Sequence, residues 1–136
     1  MKTASLALVA ALAAAPALAQ QAQPAAPAPQ TALQRIELAK QMFPPDKYAT
    51  FLYMVVVAPG GLVGRHTHPG IEMGYMLEGE ATFSVEGQPD LIMKPGTTYA
   101  APAGAIHSAK NTGDKPVRII ATFVVEKDKP LATPAP

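Results

Sequence analysis

The sequence predicts an all-β fold, an antiparallel sandwich or barrel. Three observations carry that expectation. Apolar runs rich in β-branched and aromatic residues recur from Thr50 to Val125. Turn residues punctuate them, as in Pro59-Gly60-Gly61, Pro95-Gly96 and Pro102-Ala103-Gly104. No stretch between those runs carries the periodicity of a crossover helix. Short strands joined directly by turns pair antiparallel and close on one another.

Taken in order, the chain starts with a secretory pattern. Lys2 is a positive n-region, Leu6 to Ala15 an apolar run, and Ala17-Leu18-Ala19 a small-x-small cleavage site. The run is too short for a comfortable membrane span and Pro16 interrupts it. Residues 1–19 therefore read as a signal peptide, which implies a periplasmic or secreted protein. Residues 20–31, rich in Pro, Ala and Gln, read as a flexible tether. Thr31 is a candidate cap for a short helix over residues 32–42, ended by Pro44 and Pro45. The folded domain is expected over residues 32–128.

Thr50 to Val57 is apolar on both faces and reads as a buried strand. Further strands are expected over 62–68, 71–77, 81–85, 91–94, 97–100, 106–109 and 117–125, each bounded by Gly, Pro or Asn. From Lys127 the chain turns polar, and residues 129–136 read as a Pro-rich tail. The apolar excess of Thr50 to Val57 suggests a homodimer interface, unless Leu33 to Phe43 covers it within the same chain.

Composition excludes several classes. The 136 residues suffice for one domain, and the formal net charge of +1 falls to zero when Lys2 leaves with the signal. Nothing points to nucleic acid, or to a membrane after signal removal. Cysteine is absent, which excludes disulfides, thiolate ligands and thiol catalysis. An exported domain of this kind suits a bacterial periplasm.

Chemistry concentrates in GGLVGRHTHPGIEMGYMLEG, residues 60–79. His66 and His68 are two apart, so a strand projects both from one face. Glu72 follows on the returning strand, and His107 arrives from a distant segment. Imidazoles with a carboxylate suit one divalent transition ion such as Fe, Mn, Ni, Cu or Zn. Alternation places Gly74 and Met76 on the face of Glu72, which makes them candidate substrate-pocket residues, with Met54 as a third. Arg65 alternates away from the histidines, towards the surface.

These residues resemble a known family. Gly60, His66, His68, Glu72 and Gly79 match the first cupin motif, G-x5-H-x-H-x3-E-x6-G. Gly96, Pro102, Gly104, His107 and Asn111 match the second, G-x5-P-x-G-x2-H-x3-N. The resemblance covers roughly residues 47–125. It implies a jelly-roll β-barrel holding one metal on His66, His68, Glu72 and His107. The site resembles that of flavonol dioxygenases, in which the glutamate leaves the metal to act as base, so Glu72 is the candidate catalytic residue. A small-molecule substrate, oxygenase or isomerase chemistry, and a non-catalytic or stapling metal are all compatible with that resemblance.

Overall fold

The computed structural model describes residues 32–44 and 46–136. The expected signal peptide and tether lie outside the described residues. The strands are β1 (Leu33–Met42), β2 (Tyr48–Val57), β3 (Leu62–Thr67), β4 (Gly70–Glu78) and β5 (Ala81–Val85). They continue as β6 (Leu91–Met93), β7 (Thr98–Ala101), β8 (His107–Asn111), β9 (Val117–Glu126) and β10 (Thr133–Pro134). There is no helix among the described residues.

Two five-stranded antiparallel sheets face each other, as in a jelly roll. One, sheet A, runs β1-β2-β9-β4-β7, and the other, sheet B, runs β10-β3-β8-β5-β6. Alternation decides what lies between them. On β9, Val117, Ile119, Ala121, Phe123 and Val125 are buried, with less exposed positions of β2, β4, β5 and β6 joining them. Phe123 is 1% exposed and takes the edge of the Tyr53 ring, centroid to centroid 5.6 Å. Each such buried Val, Ile or Phe side chain contributes roughly 1.5–3 kcal/mol through removal from water.

The turns follow the expected chemistry. Gly79 joins β4 to β5 at φ 85°, where an added Cβ would also meet the Pro116 carbonyl oxygen at 2.8 Å. An L side chain there is therefore refused twice. Asn111, 2% exposed, ties three segments together. Its Nδ2 donates to the Val57 and Lys115 carbonyls at 2.9 and 2.8 Å, and its Oδ1 accepts from Gly113 N–H at 3.0 Å.

Two expectations are corrected. Residues 33–42 are not a helix but β1, hydrogen-bonded along β2 from Leu33↔Val57 to Met42↔Ala49. Its Leu, Gln, Arg, Glu, Ala and Lys residues favour helix locally, yet the free edge of β2 offers a full ladder of partners, and pairing prevails. All but its two end residues are exposed, so no alternating apolar signal marks it as a strand. The tail is likewise structured: β10 pairs with β3 through Thr133↔Thr67 and Pro134↔His66.

Candidate metal centre

The centre forms where sheet B meets β4 of sheet A. His66 and His107 are direct cross-strand partners on β3 and β8. His68 follows the end of β3, and its ring centroid lies 4.8 Å from that of His66 and 5.0 Å from that of His107. Glu72 reaches across from β4. All four are buried, at 8, 2, 7 and 3% exposed for His66, His68, Glu72 and His107. His66 and His68 both turn to the buried side.

The backbone orients every ring. His66 Nδ1 lies 2.7 Å from the Gly64 carbonyl, His68 Nδ1 2.5 Å from that of Leu131, and His107 Nδ1 3.0 Å from that of Ala105. A carbonyl only accepts, so each Nδ1 carries a proton and each ring turns its Nε2 inward, where it either donates a second proton or binds a cation. Glu72 Oε2 sits 2.9 Å from His68 Nε2 and 3.2 Å from His107 Nε2. Lone pairs facing a carboxylate need a proton or a cation between them. Potential ligand atoms from the four residues lie within 4.8 Å of one another. Ligands held at about 2.0–2.2 Å from an ion are separated by up to about 4.4 Å, so small side-chain shifts complete the shell. The donor set fits a divalent ion, and the carbonyl-anchored rings are what a metal-binding histidine requires.

Glu72 is held from its far side too. Tyr99 O–H donates to Oε1 at 2.6 Å. Burial opposes the charged carboxylate, but the hydrogen bonds from His107, His68 and Tyr99 outweigh it and bring the carboxyl down to about 2. For His107 burial favours the neutral ring, yet the hydrogen bond to Glu72 raises its pKa overall. His66 is lowered, chiefly by burial. Tyr99 is raised well above the usual phenol value by burial and the neighbouring carboxylate, so it stays a donor.

A cavity lies beside the cluster, with about 30 Å³ of water-accessible space. That is room for roughly two waters. Val55, Val57, Phe83 and Met93 wall it, with His66, Glu72, Tyr99 and His107 at the polar side. Ala109 lines it as well, whereas Met54, Gly74 and Met76 do not. Met54 occupies the opposite face of β2 from the buried Val55. Met76 points inward but is closed into the core at 0% exposed. Gly74 points inward and is filled by a neighbour: an added Cβ would stand 2.1 Å from Tyr99 Cε1. Arg65 is at the surface, paired with Glu86.

Three contributors escape a reading of the sequence: Tyr99, the Leu131 carbonyl, and Arg35, which lines the cavity from β1. Gly74 and Tyr99 are cross-strand partners. A glycine facing an aromatic residue is a recognisable pairing once register is known.

Comparison with known proteins agrees with this geometry. The family profile described as cupin domain matches residues 53–123. Germin-like protein subfamily 2 member 1 of Arabidopsis thaliana is 38% identical over 71 residues, 48% of this chain and 32% of that protein. The rhicadhesin receptor of Pisum sativum is 41% identical over 71 residues, 48% of this chain and 33% of the receptor. The chain thus spans about a third of the length of these relatives. Among solved structures, the DMSP lyase DddQ from Ruegeria pomeroyi superposes with a TM-score of 0.56 at 29% identity, covering 66% of this chain and 44% of that one. KdgF from Halomonas superposes with a TM-score of 0.56 at 22% identity over 74% of this chain and 83% of its own, a likeness of fold alone.

Proposed function

The chain belongs to the cupin-domain family, and from that premise we propose that it is a metal-dependent enzyme acting on a small organic substrate, of oxygenase type. The observation that carries this reading is the convergence of three carbonyl-anchored imidazoles and one carboxylate beside a small cavity. A divalent ion held there by His66, His68, Glu72 and His107 would supply Lewis acidity and, if redox-active, electron transfer. Isomerase chemistry is the next choice on the same site. The likeness to a DMSP lyase, itself an enzyme, supports catalysis and leaves the reaction open.

The chain's own groups divide the work. The three rings hold position through their Nδ1–H bonds. Glu72 binds, and it is also the candidate base. Burial alone pushes its carboxyl up, and only the imidazole and phenol hydrogen bonds pull it to about 2. Moving away from the two imidazoles, while the phenol bond stays, would raise its basicity towards that of a base able to take a proton. Tyr99 keeps hold of Oε1 and sets the direction of that movement. The apolar walls keep bulk water out.

The narrowness of the cavity favours a second reading, a non-catalytic binding module or a barrel stapled by its metal. Glu72→Gln separates the two. After metal analysis of protein purified from its native compartment and an oxygen-uptake screen, the variant is assayed for metal, melting temperature and turnover together. For the enzyme, metal remains on the imidazoles while turnover falls by roughly 10²–10⁴-fold. For the staple, metal and fold weaken together. Full activity with full metal removes Glu72 as base.

We further propose export, with cleavage after Ala19, and a homodimer. β1 pairs with the edge of β2, whose outward-facing Leu52, Met54 and Val56 remain half-buried. On that side of sheet A, Ile71, Met73, Tyr75 and Leu77 of β4 are exposed. A monomeric mass by light scattering at micromolar concentration, for protein starting at Gln20, would remove the dimer.

A further inference from the structure

The cavity wall contains one residue that neither the metal nor the core explains. Arg35 lies opposite Val55 in the β1–β2 ladder, so both side chains project towards the interior side of sheet A. It lines the same cavity as His66, Glu72 and His107. Val55, His66, Glu72, Phe83 and His107 are buried, Tyr99 and Ala109 are half-buried, and Arg35 alone among the lining residues is exposed. It therefore marks the mouth.

Its guanidinium has no hydrogen-bond or ion-pair partner among the described residues, whereas Arg65 and Arg118 are paired with Glu86 and Glu78. The acidic neighbour on the same face of β1, Glu37, accepts from Tyr53 O–H at 3.3 Å. An unpaired fork of five donors at the rim of an apolar cavity is a site for a planar oxyanion, above all a carboxylate. A divalent ion on three neutral imidazoles and one carboxylate adds a net positive charge deeper in.

We propose that Arg35 is the recognition residue for the substrate, and that the substrate, or the end of it that enters, is a small carboxylate. Arg35 binds the anion at the mouth and steers it towards the metal centre. The inference rests on the metal reading above and adds the substrate class to it.

The test uses purified, Co(II)-loaded protein, whose visible spectrum reports ligands reaching the ion. Acetate and its neutral isostere acetamide are titrated at fixed ionic strength into wild type, Arg35→Gln, Arg35→Lys and Arg118→Gln. Removing one charge-assisted hydrogen bond while the fold survives corresponds to roughly a 10- to 100-fold change in affinity. The acetate Kd should rise by that factor in Arg35→Gln and less in Arg35→Lys. It should stay at the wild-type value in Arg118→Gln, which removes the same charge elsewhere. Acetamide should not discriminate among the four. Wild type that holds Co(II) but shows no acetate binding, or an acetate Kd in Arg35→Gln within about twofold of wild type, overturns the role of Arg35 and leaves the metal centre standing. Loss of Co(II) from Arg35→Gln, or an equal loss of acetate affinity in Arg118→Gln, also overturns it. Wild type that takes up no Co(II) overturns the metal reading first, and this one with it.

Discussion

Gly74→Ala is the smallest change that reaches the metal centre without touching a ligand. The added Cβ would stand 2.1, 2.5 and 2.7 Å from Cε1, Cζ and the hydroxyl oxygen of Tyr99. None of these separations is tolerable, so the ring must move. It cannot move freely, because the Phe83 ring packs against it at 4.5 Å between centroids. Displacement breaks the 2.6 Å bond to Glu72 Oε1, a loss of about 1.5–3 kcal/mol for a bond to a charged group. Overpacking adds about 1–3 kcal/mol. A combined destabilisation of about 4 kcal/mol corresponds to a Tm lower by roughly 15–30 °C for a domain of this size. The assay is urea and thermal denaturation of the metal-free protein, run as a double-mutant cycle with Tyr99→Leu. With the ring gone, Gly74→Ala should be neutral or slightly stabilising, because the backbone at Gly74 does not need a positive φ and alanine is the more rigid residue. Gly74→Ala as stable as wild type, or additive with Tyr99→Leu, would refute the role assigned to this glycine.

Three other outcomes are expected. Replacing His66, His68 or His107 by Ala should each remove most bound metal and lower the Tm of the loaded protein; unchanged metal content in all three would remove the assignment. Deleting residues 130–136 takes away the Leu131 carbonyl from His68 Nδ1, and metal affinity should fall by roughly 10–100-fold, read by chelator competition. In metal-free protein the Glu72 carboxyl drops from 4.5 to about 2, so its contribution is complete above pH 4.5 and is lost as pH falls through about 2. Glu72→Gln should abolish that acid-side dependence, worth roughly 3 kcal/mol, in denaturation curves between pH 2 and 5. The raised pKa of His107 acts in the other direction: its contribution is present below 6.5 and is lost as pH rises through the folded value.

The four central residues are legible in the sequence because they fall on the fixed positions of two cupin motifs, and only the His66–His68 relation is local geometry. Two histidines at alternate positions share a face, and the glycines at 60, 79, 96 and 104 all take the positive φ that tight turns favour, Gly104 just ahead of His107. What sequence hides is whatever depends on partners far along the chain. β1 carries almost no buried side chain, so its strand character exists only in its pairing with β2. A helix over residues 32–42 gives Arg35 no face towards the site; only the strand does. The Leu131 carbonyl is a backbone group in a segment without periodicity. Gly74 lies on the face expected of it, but its purpose depends on the β4–β7 register, which alternation along β4 alone does not supply. Thr50 to Val57 is apolar on both faces, so alternation cannot decide between Met54 and Val55, and only the facing sheet settles which side is interior.

The three imidazoles and the carboxylate do not share a foundation. His66 and His107 stand on sheet B, and His68 is steadied by the segment leading into β10 of that same sheet. Glu72 stands on β4 of sheet A. Hydrogen bonds tie the strands within one layer, whereas side-chain packing joins the two layers, so a change in the gap between layers is the softer displacement. Such a fluctuation leaves the distances among the rings nearly fixed and is felt by the carboxylate alone. The separations of Glu72 from His68 and His107 would lengthen, while its bond from Tyr99, on the neighbouring strand β7 of its own sheet, travels with it. The fold thus makes one arm of the cluster mechanically soft and three stiff, and the soft arm is the carboxylate, the candidate base.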